Sequence, residues 1–263
     1  MTSIPRPSEI DQSLVRSVSE RVGDLSGWDF SRVVTETEPA PWGYVELVQH
    51  YLTPHANVLG IGTGGGERLL DLTPYFESAV AIDHRPAAIE AAIQNKAQQG
   101  DTKIAFRLMD ATTLAFQEGE FDVVLNSHCS VYPDQIAPVL KRGGYFITEQ
   151  VGKQQDIGFL TTLGWTPEDF GENWWQALTD TAEHFRKLDF HVIAKGEVNR
   201  RVWIKDFESL VFYIKCRPWP NEDVEDLDIV ARWQAIRDIV ARYQTPQGIE
   251  TNDHLEYLIC QKR

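Results

Sequence analysis

The chain has 263 residues, 42% hydrophobic and 24% charged, which is the balance of an ordinary globular protein with room for a sizeable core. Its formal net charge of −14 disfavours a surface that neutralises phosphates, so nucleic acid is an unfavoured partner. The stretch around Arg200, Arg201 and Lys205 is a local basic patch that would keep RNA in view.

The opening residues lack the apolar stretch of a signal peptide, and no run approaches the ~18 apolar residues of a membrane span. Cysteines at 129, 216 and 260 form neither a disulfide framework nor a zinc pattern and fit a reducing compartment. The expectation is a cytoplasmic protein with no membrane contact. In the N-terminal extension, Ser8 can cap a helix through Ile10, Leu14, Val18 and Val22, which Gly23 would stop. A second helix follows, with Pro41 in its first turn and its end before Pro54.

From residue 57 strands and helices alternate. Strands are expected at 58–62, 79–83, 104–109, 121–126 and 145–150. Between them run a helix over 65–72, an Ala-rich helix from Pro86 to Gln99 closed by Gly100, and a short helix ending near Pro138, Val139 and Leu140. This alternation predicts a doubly wound, mainly parallel α/β sheet. Beyond residue 152, Trp174, Leu178, Ala182, Phe185 and Leu188 share a helix face, and 191–194 reads as a strand. Two further helices are expected, one over Phe207, Leu210, Val211 and Ile214, the other over Ile229, Trp233, Ile236, Val240 and Tyr243, with a final edge strand at 254–261. No repeat or linker interrupts the chain. It reads as one domain, 1–263, with an N-terminal extension 1–53, a cofactor-binding core 54–151, and a C-terminal half 152–263 carrying inserted cap helices over 205–244.

The glycine turn after the first of these strands admits two readings. Gly60-Ile61-Gly62-Thr63-Gly64-Gly65 satisfies the dinucleotide pattern, with Asp83 at the end of the next strand placed to accept from a ribose hydroxyl. Gly62, Gly64 and Gly66 also resemble the glycine motif of Rossmann-like S-adenosylmethionine-dependent methyltransferases. Later blocks favour that second reading. Ala81-Ile82-Asp83, Leu108-Met109-Asp110-Ala111, Phe121 through His128, and Val139-Leu140-Lys141-Arg142-Gly143-Gly144 are similar to successive motifs of the same family over roughly residues 40–151. No tyrosine has lysine four residues later, as a dehydrogenase pair would require.

The resemblance implies a seven-stranded sheet and direct methyl transfer from S-adenosylmethionine to a small organic acceptor. It implies that Gly60, Gly62, Thr63 and Gly64 cradle the cofactor, Asp83 and His84 meet its ribose, Asp110 and Ala111 read its adenine, and Asn126 lines its methionine end. One departure stands out: the position before Ile61 is acidic in the family and is Gly60 here. Asp83 and Asp110 each end a strand before a possible helix, where a helix cap is the structural alternative. Methyl transfer from a sulfonium needs alignment and exclusion of water, and a base only where the acceptor must lose a proton. His128 is the candidate base, Glu149 a weaker one, and Cys129 has no evident activating partner. Aromatic residues of the additions, among them Trp28, Phe30, Trp42 and Trp219, would wall the acceptor pocket. No metal is expected, since the histidines do not pair with Cys or carboxylates at ligand spacing. The alternatives are an RNA or protein methyltransferase, a nicotinamide oxidoreductase, and a non-catalytic cofactor-binding module.

Overall fold

The computed structural model describes residues 3–24, 30–100, 103–165, 178–216 and 228–263, so Trp28, Trp174 and Trp219 lie outside the described residues. The chain divides into two compact units. One comprises Ala40–Gly152, Gln176–Val198 and Leu255–Arg263; the other Met1–Pro39, Lys153–Trp175 and Asn199–His254.

The first unit is built on β2 (Asn57–Ile61), where every residue after Asn57 is buried, as in a parallel strand covered on both faces. It pairs in parallel with β3 (Ser78–Asp83) and with β5 (Phe121–Ser127). Parallel pairing extends to β4 (Ile104–Leu108) beyond β3 and to β6 (Leu140–Val151) beyond β5. β9 (Gly248–Lys262) adds antiparallel to β6, from Tyr145↔Gln261 to Val151↔Leu255. With β7 (Phe190–Ile204), the strand order is β7-β9-β6-β5-β2-β3-β4. These seven strands are the number the family resemblance implies.

Alternation along each strand divides the core between the two faces of the sheet. Leu59, Ile61, Ile82, Val124 and Phe146 join α5 (Pro133–Val139) and α7 (Leu178–Lys187) in one cluster. Val58, Ala81, Leu125 and Ile147 join α2 (Tyr44–Gln49) and α3 (Glu67–Asp71) in the other. α4 (Pro86–Gln99) starts on its proline and ends on Gly100 at φ +70°, whose N–H closes on Lys96 and Ala97 carbonyls.

The second unit holds α1 (Gln12–Val22), α6 (Ile157–Thr162), α8 (Phe207–Cys216) and α9 (Trp233–Tyr243) around a core that includes Val15, Val18, Phe159, Leu210, Val211, Ile236 and Val240. β1 (Thr35–Thr37) pairs with residues 202–204 of β7, and β8 (Gln244–Thr245) with the start of β9. Two strands thus join the expected seven, making nine among the described residues.

Several expectations are corrected. Asp11, not Ser8, caps α1: its Oδ1 accepts from Leu14 N at 2.8 Å, while Ser8 lies in a separate 3-10 turn, Pro7–Glu9. α2 begins at Tyr44 behind a Gly43 cap, so Pro41 precedes the helix instead of opening it. The strand expected at 191–194 runs to Ile204. The last strand is no edge, because β9 lies between β6 and β7. The segment 217–227 of the expected 205–244 insertion lies outside the described residues.

Candidate active site

The site forms at the carboxyl ends of β2, β3, β5 and β6, the crevice where open parallel sheets bind ligands. The chain leaves β2 through a turn in which Gly62, Gly64 and Gly66 have φ of +68°, +56° and +79°. Gly62 N and Thr63 N both donate to Ile82 O, which fastens the turn to β3. At Gly62 two demands coincide. The backbone is left-handed, and a Cβ would lie 2.2 Å from Cys129 Sγ. Gly60 answers to space instead. A Cβ there would sit 3.2 Å from Leu69 Cδ2 on α3, so the end of that leucine would have to give by a few tenths of an ångström.

Asp83 closes β3 at 4% exposure. Its Oδ2 accepts from Gly64 N at 3.0 Å, tying the acid to the turn, and its Oδ1 accepts from Arg85 N at 3.0 Å and Arg85 Nε at 3.2 Å. Burial raises the carboxyl, but the Arg85 side chain and these N–H donors outweigh it and hold Asp83 below the usual carboxylate range. It is not the cap of α4, a position occupied by Arg85. His84 is exposed, with Nδ1 3.8 Å from Asp83 Oδ1. Asp110 and Ala111 stand on the loop beyond β4; Asp110 is exposed, and its Oδ1 accepts from Thr112 N and Oγ1, both at 2.8 Å. Those hydrogen bonds from Thr112 lower its pKa.

Asn126, by contrast, is turned inward. At 1% exposure its Oδ1 accepts from Thr148 Oγ1 and Gln150 Nε2, and its Nδ2 donates to Cys129 Sγ and Ser130 O. Its amide braces the loop after β5. Cys129 packs on Gly62, and burial pushes its thiol up to about 12, which disfavours the thiolate.

His128 has φ +53°, in the left-handed region that a side chain disfavours, and its N–H donates to Glu149 O at 3.0 Å. Around its ring lies a cluster that residue patterns did not reveal. Arg68 Nη1 donates to Glu149 Oε1 at 2.9 Å and to Ser127 Oγ at 2.6 Å, and Arg68 Nη2 lies 3.1 Å from His128 Nε2. Glu149 Oε1 is 3.5 Å from the same Nε2, and its Oε2 accepts from Trp42 Nε1 at 3.1 Å. The guanidinium of Arg68 stands over the Tyr44 ring, whose hydroxyl donates to Asn126 O. Burial would raise Glu149, but His128 and Arg68 together bring it down to about 2. Trp42 thus serves Glu149 and packs edge-on against Tyr257.

The basic patch of the second unit is neutralised, since Arg200 pairs with Asp253, Arg201 with Glu38, and Lys205 with Glu36. Among the described residues no helix is long and apolar enough to cross a membrane.

A glycine turn after the central strand, with an acid closing the neighbouring one, defines a Rossmann-like nucleoside-binding class. Residues 52–202, more than half of the chain, match the family model described as methyltransferase domain, and the chain belongs to that family. It is 38% identical over 92 residues to a probable phthiotriol/phenolphthiotriol dimycocerosates methyltransferase of Mycobacterium ulcerans, covering 32% of this chain and 34% of the relative. It is 27% identical over 159 residues to human EEF1A lysine methyltransferase 2, covering 54% of this chain and 59% of the relative. The matches therefore span from about a third to three fifths of these relatives' length. The crystal structure of YcgJ from Bacillus subtilis shares the fold, with a TM-score of 0.59 at 16% identity over 84% of this chain and 98% of that one.

Proposed function

We propose that this protein transfers a methyl group from S-adenosylmethionine to a small organic acceptor. The observation that carries the reading is the buried Asp83 carboxylate bound to Gly64 N of a turn built on three left-handed glycines. This arrangement fits the cofactor: the glycine turn stands at the carboxyl end of the central strand, where a nucleoside would lie, and Asp83 offers ribose hydroxyls an acceptor. Asp110, Ala111 and His84 stand at neighbouring strand ends, where adenine and ribose would be met. Asn126 acts as the brace of the loop beneath.

When bound, the cofactor supplies a methyl group already activated on a sulfonium. The protein's part is to align the acceptor, exclude water and, where the acceptor carries a proton, remove it. His128 is the group we assign to that proton, because it follows Ser127, which Arg68 ties to the helix of the glycine turn, and precedes Cys129, which packs on Gly62. The net charge of −14 and the paired state of Arg200, Arg201 and Lys205 weigh against an RNA acceptor. A protein acceptor is the second reading, favoured by the resemblance to a lysine methyltransferase.

Calorimetric titration with S-adenosylmethionine and S-adenosylhomocysteine, on the wild type and on Asp83→Ala, tests the core of the reading. Micromolar binding that the substitution abolishes or weakens strongly is the expected result. Binding of neither compound, or a spectral response to a nicotinamide dinucleotide instead, would overturn it. A methyl-transfer screen of small acceptors against lysine peptides then separates the two acceptor classes.

A further inference from the structure

A guanidinium is always charged and its nitrogens only donate. In a hydrogen bond with Arg68 Nη2, 3.1 Å away, His128 Nε2 can only accept, which calls for a neutral ring with its proton on Nδ1. Glu149 Oε1, 3.5 Å from that same nitrogen, can only accept while ionised and so favours the opposite tautomer, with the proton on Nε2. One nitrogen cannot satisfy both. Only the form that Glu149 favours leaves a lone pair on Nδ1 able to take a proton from an acceptor.

The two contestants differ in freedom. The Glu149 side chain is 4% exposed and its second oxygen is fastened by Trp42 Nε1. Arg68 is 46% exposed on a five-residue helix directly after the glycine turn. A ligand carboxylate arriving beside that turn would compete for the guanidinium in paired, charge-assisted hydrogen bonds. The amino-acid end of the proposed cofactor carries such a group.

We propose that Arg68 and Glu149 are opposed positioning residues that set the tautomer of His128, and that a ligand carboxylate drawing Arg68 away converts Nδ1 into the base. Nε2 takes a proton from water first and Nδ1 then gives its own back to water, so the net charge of the ring is unchanged. What the base serves rests on the methyl-transfer reading; the tautomer contest itself does not.

Long-range nitrogen–proton correlation spectra of the 15N-labelled full chain, at a pH where the imidazoles are neutral, read the tautomer directly. His128 is assigned by the signal that His128→Gln removes. The wild type is expected to show a pyridine-type Nε2 and a pyrrole-type Nδ1, Arg68→Met the reverse, and wild type with S-adenosylhomocysteine a shift toward the reverse. A wild-type proton on Nε2, or an unchanged tautomer in Arg68→Met, would overturn the proposal. If Arg68→Met does not fold, the wild-type spectrum still decides the first half. S-adenosylhomocysteine that binds by calorimetry and leaves the tautomer unchanged would overturn the coupling to the ligand. Failure of both S-adenosylhomocysteine and S-adenosylmethionine to bind would sink the methyl-transfer reading, while the tautomer contest would stand or fall on the Arg68→Met spectrum.

Discussion

Replacing Gly62 by alanine sets a methyl carbon 2.2 Å from Cys129 Sγ and 2.7 Å from Cys129 Cβ, on a backbone at φ +68°. The left-handed conformation costs a non-glycine residue ~1–2 kcal/mol. Forcing an extra carbon into a packed contact costs roughly 1–3 kcal/mol more. Gly62→Ala should therefore lose ~2–5 kcal/mol, a large share of the ~5–15 kcal/mol that stabilises a typical domain. Urea unfolding of the wild type, Gly62→Ala, Cys129→Ala and the double variant measures both parts. Cys129→Ala removes the sulfur but leaves the Cβ, so relief is partial and a favourable coupling of ~1 kcal/mol is expected. The same displacement of the turn should weaken S-adenosylmethionine at least ~10-fold, since ~1.4 kcal/mol of lost contact suffices. Stability within ~0.5 kcal/mol of wild type, or strict additivity of the two substitutions, would refute this account of the turn.

Asp83→Asn must set an amide NH₂ against either Gly64 N–H or the Arg85 donors; we expect ~1–3 kcal/mol of destabilisation in denaturant melts and a cofactor affinity reduced ~10-fold or more in calorimetry. Glu149, lowered from 4.5 to about 2, contributes stability that is fully present above pH 4.5 and is lost as pH falls through about 2. Glu149→Gln should thus cost ~3 kcal/mol at neutral pH, and the gap between variant and wild type should close across that acid window in melts taken at several pH values. Gly60→Ala should lose ~1–2 kcal/mol by pushing on Leu69, and Gly60→Ala with Leu69→Val should regain part of it relative to Leu69→Val alone. Equal losses in both backgrounds would leave Gly60 without its steric explanation.

Features set by local backbone chemistry were readable from the residues alone. Pro86 and Gly100 bound α4 because one pre-sets the first turn and the other supplies the left-handed cap. Capping at the N-terminus was ambiguous, because Ser8 and Asp11 are both competent and only the hydrogen bond to Leu14 N decides between them. The length of β7 was missed because Asn199, Arg200 and Arg201 follow one another, with Arg200 on the half-buried register, so charge obscured a period of two. In the site, Gly62 and Asp83 declare themselves through spacing in one stretch of chain. The cluster of Trp42, Arg68, His128 and Glu149 does not, since four separate elements must fold before any of those side chains meet. The meaning of Gly60 was equally hidden, because it depends on where Leu69 packs.

The place of β9 in the sheet of the first unit bears on how fast that unit can form. Its antiparallel partner β6 lies far back along the chain, with Gln261 Nε2 bonding a Tyr145 hydroxyl 116 residues away. The parallel strands on the other side of β6 pair across much shorter separations. Closing that long loop carries an entropic cost before any contact returns it, and topologies rich in such pairings fold slowly. Until residues 255–262 arrive, β6 presents an unpaired edge beside Glu149, so assembly of the cluster of Trp42, Arg68, His128 and Glu149 and protection from edge-to-edge association come late and together.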